Sequence, residues 1–414
     1  MNEMASTFTW LDYSEQERRR ALDVISLFKL QDTRDELGLA SIRDAFADRF
    51  FPGTSTIQTR ARYFLLVPWL CRELEQQRVP SAKAADWLRW FEEQMIPALL
   101  QADDIEGVIG REAGKVVQRM PSSVFWAGLR RWGVLTFQGS LSQYHRSLDR
   151  FHDAVTRPRS MRDTDDEALP PPTNWHPHLP DPPEGFPEDV SVTLRAHEAD
   201  YLRERIVSSC PGTLLAYLAE REEAWGGVKF AWFHEFAPSF PDDISANLRH
   251  ARLFSEVVHG AAWLYNVMLA EAQEHESRIE THRQAFDAWA DEMHAEMPRL
   301  AAWSLPEFWA TVTAFGARIT PPTRAFVTDW IEQVRAVRHP TDLRRDRRVL
   351  DMIRHREKHL KRDRARLWNR RHLELWGGQS GTQQLDFRWN VSQRLLLDIV
   401  EQLAPRHSAR SGHA

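Results

Sequence analysis

Between Arg335 and Arg371 the chain carries 15 Lys or Arg against five acids (Asp342, Asp346, Asp351, Glu357 and Asp363), a local charge of +10 in a protein whose net charge is −5. Arginine dominates, and its planar guanidinium pairs bidentately with phosphate or carboxylate. A run of such cations neutralises a nucleic-acid backbone without reading sequence, because each phosphate contact releases a condensed counterion. Leu350, Ile353, Leu360 and Leu367 recur at helical spacing, so the pattern predicts one basic helix over 343–376 that docks by this stripe. The candidate nucleic-acid-binding residues are Arg344, Arg345, Arg347, Arg348, Arg354, Arg356, Lys358, Lys361, Arg362, Arg364, Arg366, Arg370 and Arg371. Charge runs also arise as solvated helix faces, or as partners for an acidic surface such as 271–296.

A second basic feature lies in PGTSTIQTRAR, residues 52–62. If Thr54, Ser55 and Thr56 open a helix, Arg60 and Arg62 follow one turn in, and free amides with a favourable dipole would make a candidate anion site there. Ordinary N-capping accounts for the hydroxyl residues equally well. Trp368, Trp376, Phe387 and Trp389 follow the basic run and could stack on bases. The flanking leucines favour a core role for all of them.

Catalytic patterns are sparse. His359 and Lys361 have H-x-K spacing, but Arg366 stands where a phospholipase D-type motif wants Asp. Glu271, Glu274, His275 and His282, with Asp291 and His294 further on, place carboxylates and imidazoles along one helix, yet among so many charges a solvated face is the better reading. His176-x-His178 and His234-Glu235 lack a matching second cluster. No phosphate-binding GxxxxGK[ST] loop, dinucleotide GxGxxG or GxSxG elbow is present, so no cofactor is implied and nothing marks the chain plainly as an enzyme.

The elements that must position these residues are helical. At 414 residues, with 42% hydrophobic and 27% charged residues, the chain can bury more than one core. Cys71 and Cys210 are isolated, which fits a reducing cytoplasm, and no apolar run is long enough for a membrane span. Apolar periodicity predicts helices over 15–28, 41–51, 54–77, 79–100, 124–135, 196–207, 213–224, 244–295, 306–315, 321–337, 343–376 and 385–403, with one short strand at 228–233. Prolines from 158 to 187 interrupt the pattern. The expectation is an all-α protein: an N-terminal helical unit (1–155), a proline-rich strap (156–190), a C-terminal helical unit (191–404) and a frayed tail (405–414).

Several strings, among them FTWLDYSEQERRRALDVISLF, IRDAFADRFFPGTSTIQTRARYFLLVPWL, VIGREAGKVVQRMPSSVFWAGLRRWGVL and LWNRRHLELWGGQSGTQQLDFRW, resemble an uncharacterised bacterial domain-of-unknown-function family along nearly the whole chain. The resemblance implies a context: phage-defence islands beside a superfamily 2 helicase and a phospholipase D-like nuclease, as in the Azaca-type system. It brings no catalytic residue. The expected role is a non-catalytic defence subunit that binds DNA or RNA through the basic run. The alternatives are an interaction scaffold without nucleic-acid contact and a metal-dependent nuclease using Glu271, Glu274 or His275.

Overall fold

A computed structural model describes residues 35–111, 117, 119–156, 173–221 and 225–403. The helix expected over 15–28, the first part of the proline-rich strap and the tail lie outside the described residues. The protein is all-α. Its helices are α1 (Ala40–Phe50), α2 (Tyr63–Gln76), α3 (Ala84–Leu99), α4 (Pro121–Arg131), α5 (Leu141–Thr156), α6 (Ala196–Ser209), α7 (Leu214–Ala219), α8 (Asp242–Ala272), α9 (Glu276–Ala302), α10 (Leu305–Ala314), α11 (Pro321–Ala336), α12 (Arg347–Lys361), α13 (Arg370–Glu374) and α14 (Trp389–Leu403). Residues 228–233, expected as a strand, instead end in a 3-10 turn at Ala231–Phe233. The aromatics Phe230, Trp232 and Phe233 that suggested a strand pack on one another there. Among the described residues the sole β-type pairing is an isolated bridge between Leu135 and Trp175.

Contacts group the chain into two units interleaved in sequence. Among the described residues the first comprises those within Arg43–Arg252, Ala314–Gly316 and 386–403; the second comprises Leu253–Thr313, Ala317–Leu385 and 35–42.

In the first unit the apolar run YFLLVPWLC makes α2 the central helix, with every residue from Tyr63 to Cys71 buried. Pro68 lies inside it and the helix continues to Gln76. Phe64 stacks on Trp132 with ring centroids 3.7 Å apart. Gly128 lets α4 approach, since a Cβ there would stand 2.5 Å from the Gly53 carbonyl. The Glu92 carboxylate on α3 accepts the Ser122 amide (2.5 Å) and hydroxyl (3.1 Å), satisfying the free start of α4. Burial pushes that carboxyl up to about 7. Residues 174–180 are tied to this unit: the Trp69 indole donates to the Pro180 carbonyl (2.7 Å), and Glu75 accepts from Tyr144, Asn174 and Trp175. Helix α5 carries only two buried residues, Tyr144 and Leu148. So thin a stripe escaped the periodicity analysis.

In the second unit the long helix expected over 244–295 is two helices. Helix α8 ends at Ala272, Glu274 takes a left-handed φ of 58°, and α9 starts at Glu276. The break falls in a polar stretch, Gln273 to Ser277, where no apolar stripe ties the turns together. The two helices pack closely at Gly260, where a Cβ would fall 2.1 Å from the Trp289 ring. Trp289 and Trp330 each donate an indole N–H to an α8 carbonyl, at Glu256 and Val257. Asn266 on α8 exchanges hydrogen bonds with both the amide and the carbonyl of Ser380, fixing the segment that follows α13.

Candidate nucleic-acid interface

The basic run is not one helix. It is a 3-10 turn (Pro340–Arg345), α12, a second 3-10 turn (Arg362–Arg364) and the five-residue α13. Asp346 caps α12 by accepting the Arg348 amide at 2.8 Å. The helix ends where Arg362 adopts φ 52°. The leucine stripe is also not the docking face. Val349, Ile353, Arg356 and Glu357 are buried, Leu350 and Leu367 are half-buried, and Leu360 is exposed.

Two buried charges on α12 explain this difference. Arg356 points inward, donating to the carbonyls of Leu37 (2.8 Å) and Gly38 (3.1 Å) and to the Thr323 hydroxyl (2.9 Å). Gly38, at φ 71°, is required there because a Cβ would meet the Arg356 guanidinium at 2.6 Å. Burial lowers the pKa of Arg356. The next residue, the fully buried Glu357, accepts the Tyr265 hydroxyl and the backbone amides of Arg366 (2.8 Å) and Leu367 (3.0 Å). Beside it Glu36 is ion-paired with Lys361 and Arg366 and accepts from Ser380. Burial alone would raise the Glu36 carboxyl, but the two cations and their hydrogen bonds outweigh it and hold it below the ordinary value. Arg356, Lys361 and Arg366 therefore belong to the interior of this unit. Buried charges persist only when they are satisfied: Lys361 and Arg366 are ion-paired with Glu36, and Arg356 is held by hydrogen bonds alone.

The remaining cations differ in kind. Arg344 pairs with Asp287 at 3.0 Å and is partly buried. Arg354 pairs with Asp351 at 3.1 Å, while Arg347 and Arg370 reach acids only at 4.0 Å and 3.5 Å with their side chains almost fully exposed. Lys358 is exposed above the Trp368 ring, 5.7 Å from its centroid. Arg345, Arg348, Arg362, Arg364 and Arg371 are exposed and have no acid partner among the described residues. Of the four aromatics, Trp376, Phe387 and Trp389 are buried as expected of core residues. Trp368 is 51% exposed, contrary to the core role its flanking leucines suggested.

The chain belongs to DUF6361, a family of unknown function whose model matches residues 5–402. No curated protein and no solved structure matches it. In this DUF6361 chain no helix among the described residues is long and apolar enough to cross a membrane.

The second basic feature is built differently from expectation. Helix α2 begins at Tyr63, so Thr54, Ser55 and Thr56 lie in turns rather than at a helix start. The Thr54 hydroxyl donates to the Phe51 carbonyl, and Ser55 donates its amide to Gln58. Arg60 is held by Asp398 (3.0 Å) and Asp104 (2.5 Å), and Arg62 by Glu198 (2.8 Å). Asp398 also accepts the Ala61 amide at 2.8 Å, and these ties fix an irregular segment where periodicity alone extended the helix. Both guanidiniums already have carboxylates within their own unit.

The carboxylate and imidazole candidates do not converge. Glu271 pairs with Arg283, His282 bonds the Gly378 carbonyl, and Asp291 faces His339. Among the described residues no group of three or more His, Cys, Asp or Glu could hold a metal ion. Sequence reasoning missed Glu36, Tyr265 and Ser380 as the partners of the basic run. The available signal was Glu357, an acid four residues before Lys361 on a basic helix.

Proposed function

We propose that this protein is a non-catalytic nucleic-acid-binding subunit of a bacterial anti-phage defence complex. It holds the phosphate backbone with the exposed cations of 345–371 and works beside a helicase and a phospholipase D-like nuclease. One observation carries the reading: after Arg356, Lys361 and Arg366 are satisfied internally, Arg345, Arg348, Arg362, Arg364 and Arg371 remain exposed with no acid partner among the described residues. Unpaired arginine at that density suits an anionic polymer, whose affinity rises with the number of phosphates neutralised. The defence context rests on the sequence strings given above.

The test is fluorescence anisotropy of labelled duplex and single-stranded DNA and RNA across a salt series. The expected result is affinity that falls steeply with salt, each lost phosphate contact flattening the slope by about 0.9 on duplex DNA. Reversing Arg345, Arg348, Arg362 and Arg364 to Glu should abolish both affinity and slope. Salt-independent binding, or binding untouched by these reversals, would reject the proposal. Nuclease-resistant co-purification with the helicase, lost on the same reversals, would favour a protein-docking face instead.

A further inference from the structure

The loop between α12 and α13 forms one wall of a cleft of about 490 Å3, and the break between α8 and α9 forms the other. Trp368 lines it together with Arg278, Arg370, Glu274 and Glu374. We propose that this cleft binds a single unstacked nucleotide: the base lies on the Trp368 indole and the phosphate is met by Arg278 and Arg370. The proposal rests on the nucleic-acid reading above and adds to it a preference for single strands and free ends.

Three observations lead there. First, Trp368 is half exposed yet held in place. Its indole N–H donates to the Arg354 carbonyl at 3.1 Å, and its backbone amide bonds to Ala365. With the polar end of the ring satisfied internally and the Lys358 ammonium 5.7 Å from the ring centroid, what the indole offers a ligand is the aromatic surface that remains open, which suits any base. Second, the walls are pinned from behind. Buried Glu357 accepts the amides of residues 366 and 367, immediately before Trp368. Across the cleft, Gln273 donates to the Leu373 carbonyl at 2.7 Å and accepts from Arg278 at 2.7 Å. A site whose walls are fixed before binding loses little ordering entropy on binding. Third, size and charge fit. Small-ligand sites run from roughly 300 to 1,000 Å3, which admits one nucleotide and excludes a duplex. The two arginines suit a phosphate, while Glu274 and Glu374 offer acceptors to the amino groups of a base edge. A base inside a duplex is stacked on both faces and cannot reach Trp368.

Calorimetric titration of the full chain with the four nucleoside monophosphates, one at a time, and with inorganic phosphate tests this. Nucleotides should bind, and inorganic phosphate should bind much more weakly. Trp368→Ala should lose roughly tenfold or more in nucleotide affinity, and Trp368→Phe should recover much of it. Trp368 lies on the surface, so equal melting temperatures would show that both variants fold. Nucleotide binding no tighter than phosphate binding, or unchanged in Trp368→Ala, would overturn the proposal. The two readings can fail separately. Monophosphate binding without salt-dependent polymer binding keeps the cleft and rejects the interface; polymer binding with no monophosphate affinity keeps the interface and rejects the cleft.

Discussion

Arg62 and Arg348 carry the same guanidinium into opposite surroundings. The Arg62 side chain is 4% exposed and meets Glu198, itself 1% exposed, at 2.8 Å. Arg348 is exposed, with no acid partner among the described residues. Both come from segments whose sequences suggested anion binding, and the structure separates them by what lies opposite. A buried arginine must be satisfied within its own chain, by a carboxylate as here or by carbonyls and a hydroxyl as at Arg356, since an unsatisfied buried charge is not sustained. An exposed one leaves its charge available to a partner. The same division runs through the 344–371 segment, where Arg356, Lys361 and Arg366 fall on the Arg62 side of it.

The largest effect is expected at Arg62. Arg62→Ala leaves Glu198 buried without its cation and should destabilise the protein by about 3–5 kcal/mol, measured by urea unfolding. Adding Glu198→Ala to that variant should recover part of the loss, because the uncompensated charge is removed. If Arg62→Ala were as stable as the parent, burial would not be what distinguishes the two arginines.

The fold was legible where apolar residues recur in a stripe, as in α1, α11 and α14. It was not legible where polar groups decide. The turn of 54–62 is held by Asp398 and Glu198, which lie far along the chain. The break at Glu274 uses a left-handed conformation that a glycine would have advertised. The candidate interface was legible as a density of charge, but not its division into buried and exposed members. Arg356 and Arg354 are two residues apart and the sequence treats them alike. Only the fold shows Thr323 and the Leu37 carbonyl waiting for one of them.

Glu36 sharpens the comparison from the acid side. Its carboxyl is held below the ordinary value by Lys361 and Arg366, despite burial. A depressed carboxyl stabilises the folded state above its unfolded pKa, and that contribution is lost as pH falls through the folded value. Glu36→Gln should therefore cost about 2–4 kcal/mol at neutral pH, with a smaller penalty in acid, where the parent has lost the same contribution. A penalty that does not depend on pH, read from denaturant midpoints across an acid series, would contradict the assignment.

Glu92 is the counterexample, a buried carboxylate bonded to Ser122 rather than to a cation. Its carboxyl stands at about 7 against an ordinary 4.5, so it destabilises the fold progressively as pH rises through that window. Glu92→Gln keeps an acceptor for Ser122 and loses the charge. The variant should match the parent in acid and exceed it above neutrality by at most roughly 3 kcal/mol. An unchanged difference between acidic and neutral pH would show that Glu92 is already neutral, or already compensated, throughout.

The smallest effect on stability is expected where the effect on binding is greatest. Arg345→Glu, Arg348→Glu, Arg362→Glu and Arg364→Glu touch no acid among the described residues, so each should change unfolding free energy by less than about 0.5 kcal/mol. On an exposed surface crowded with like charge, reversal even relieves some repulsion, and a slight gain in stability would fit. The same changes should remove salt-dependent nucleic-acid binding. Arg366→Glu is the control within this segment: it places a second acid beside Glu36 and should unfold the protein far more readily. If the four exposed reversals cost as much stability as Arg366→Glu, these arginines serve the fold, and the contrast with Arg62 disappears.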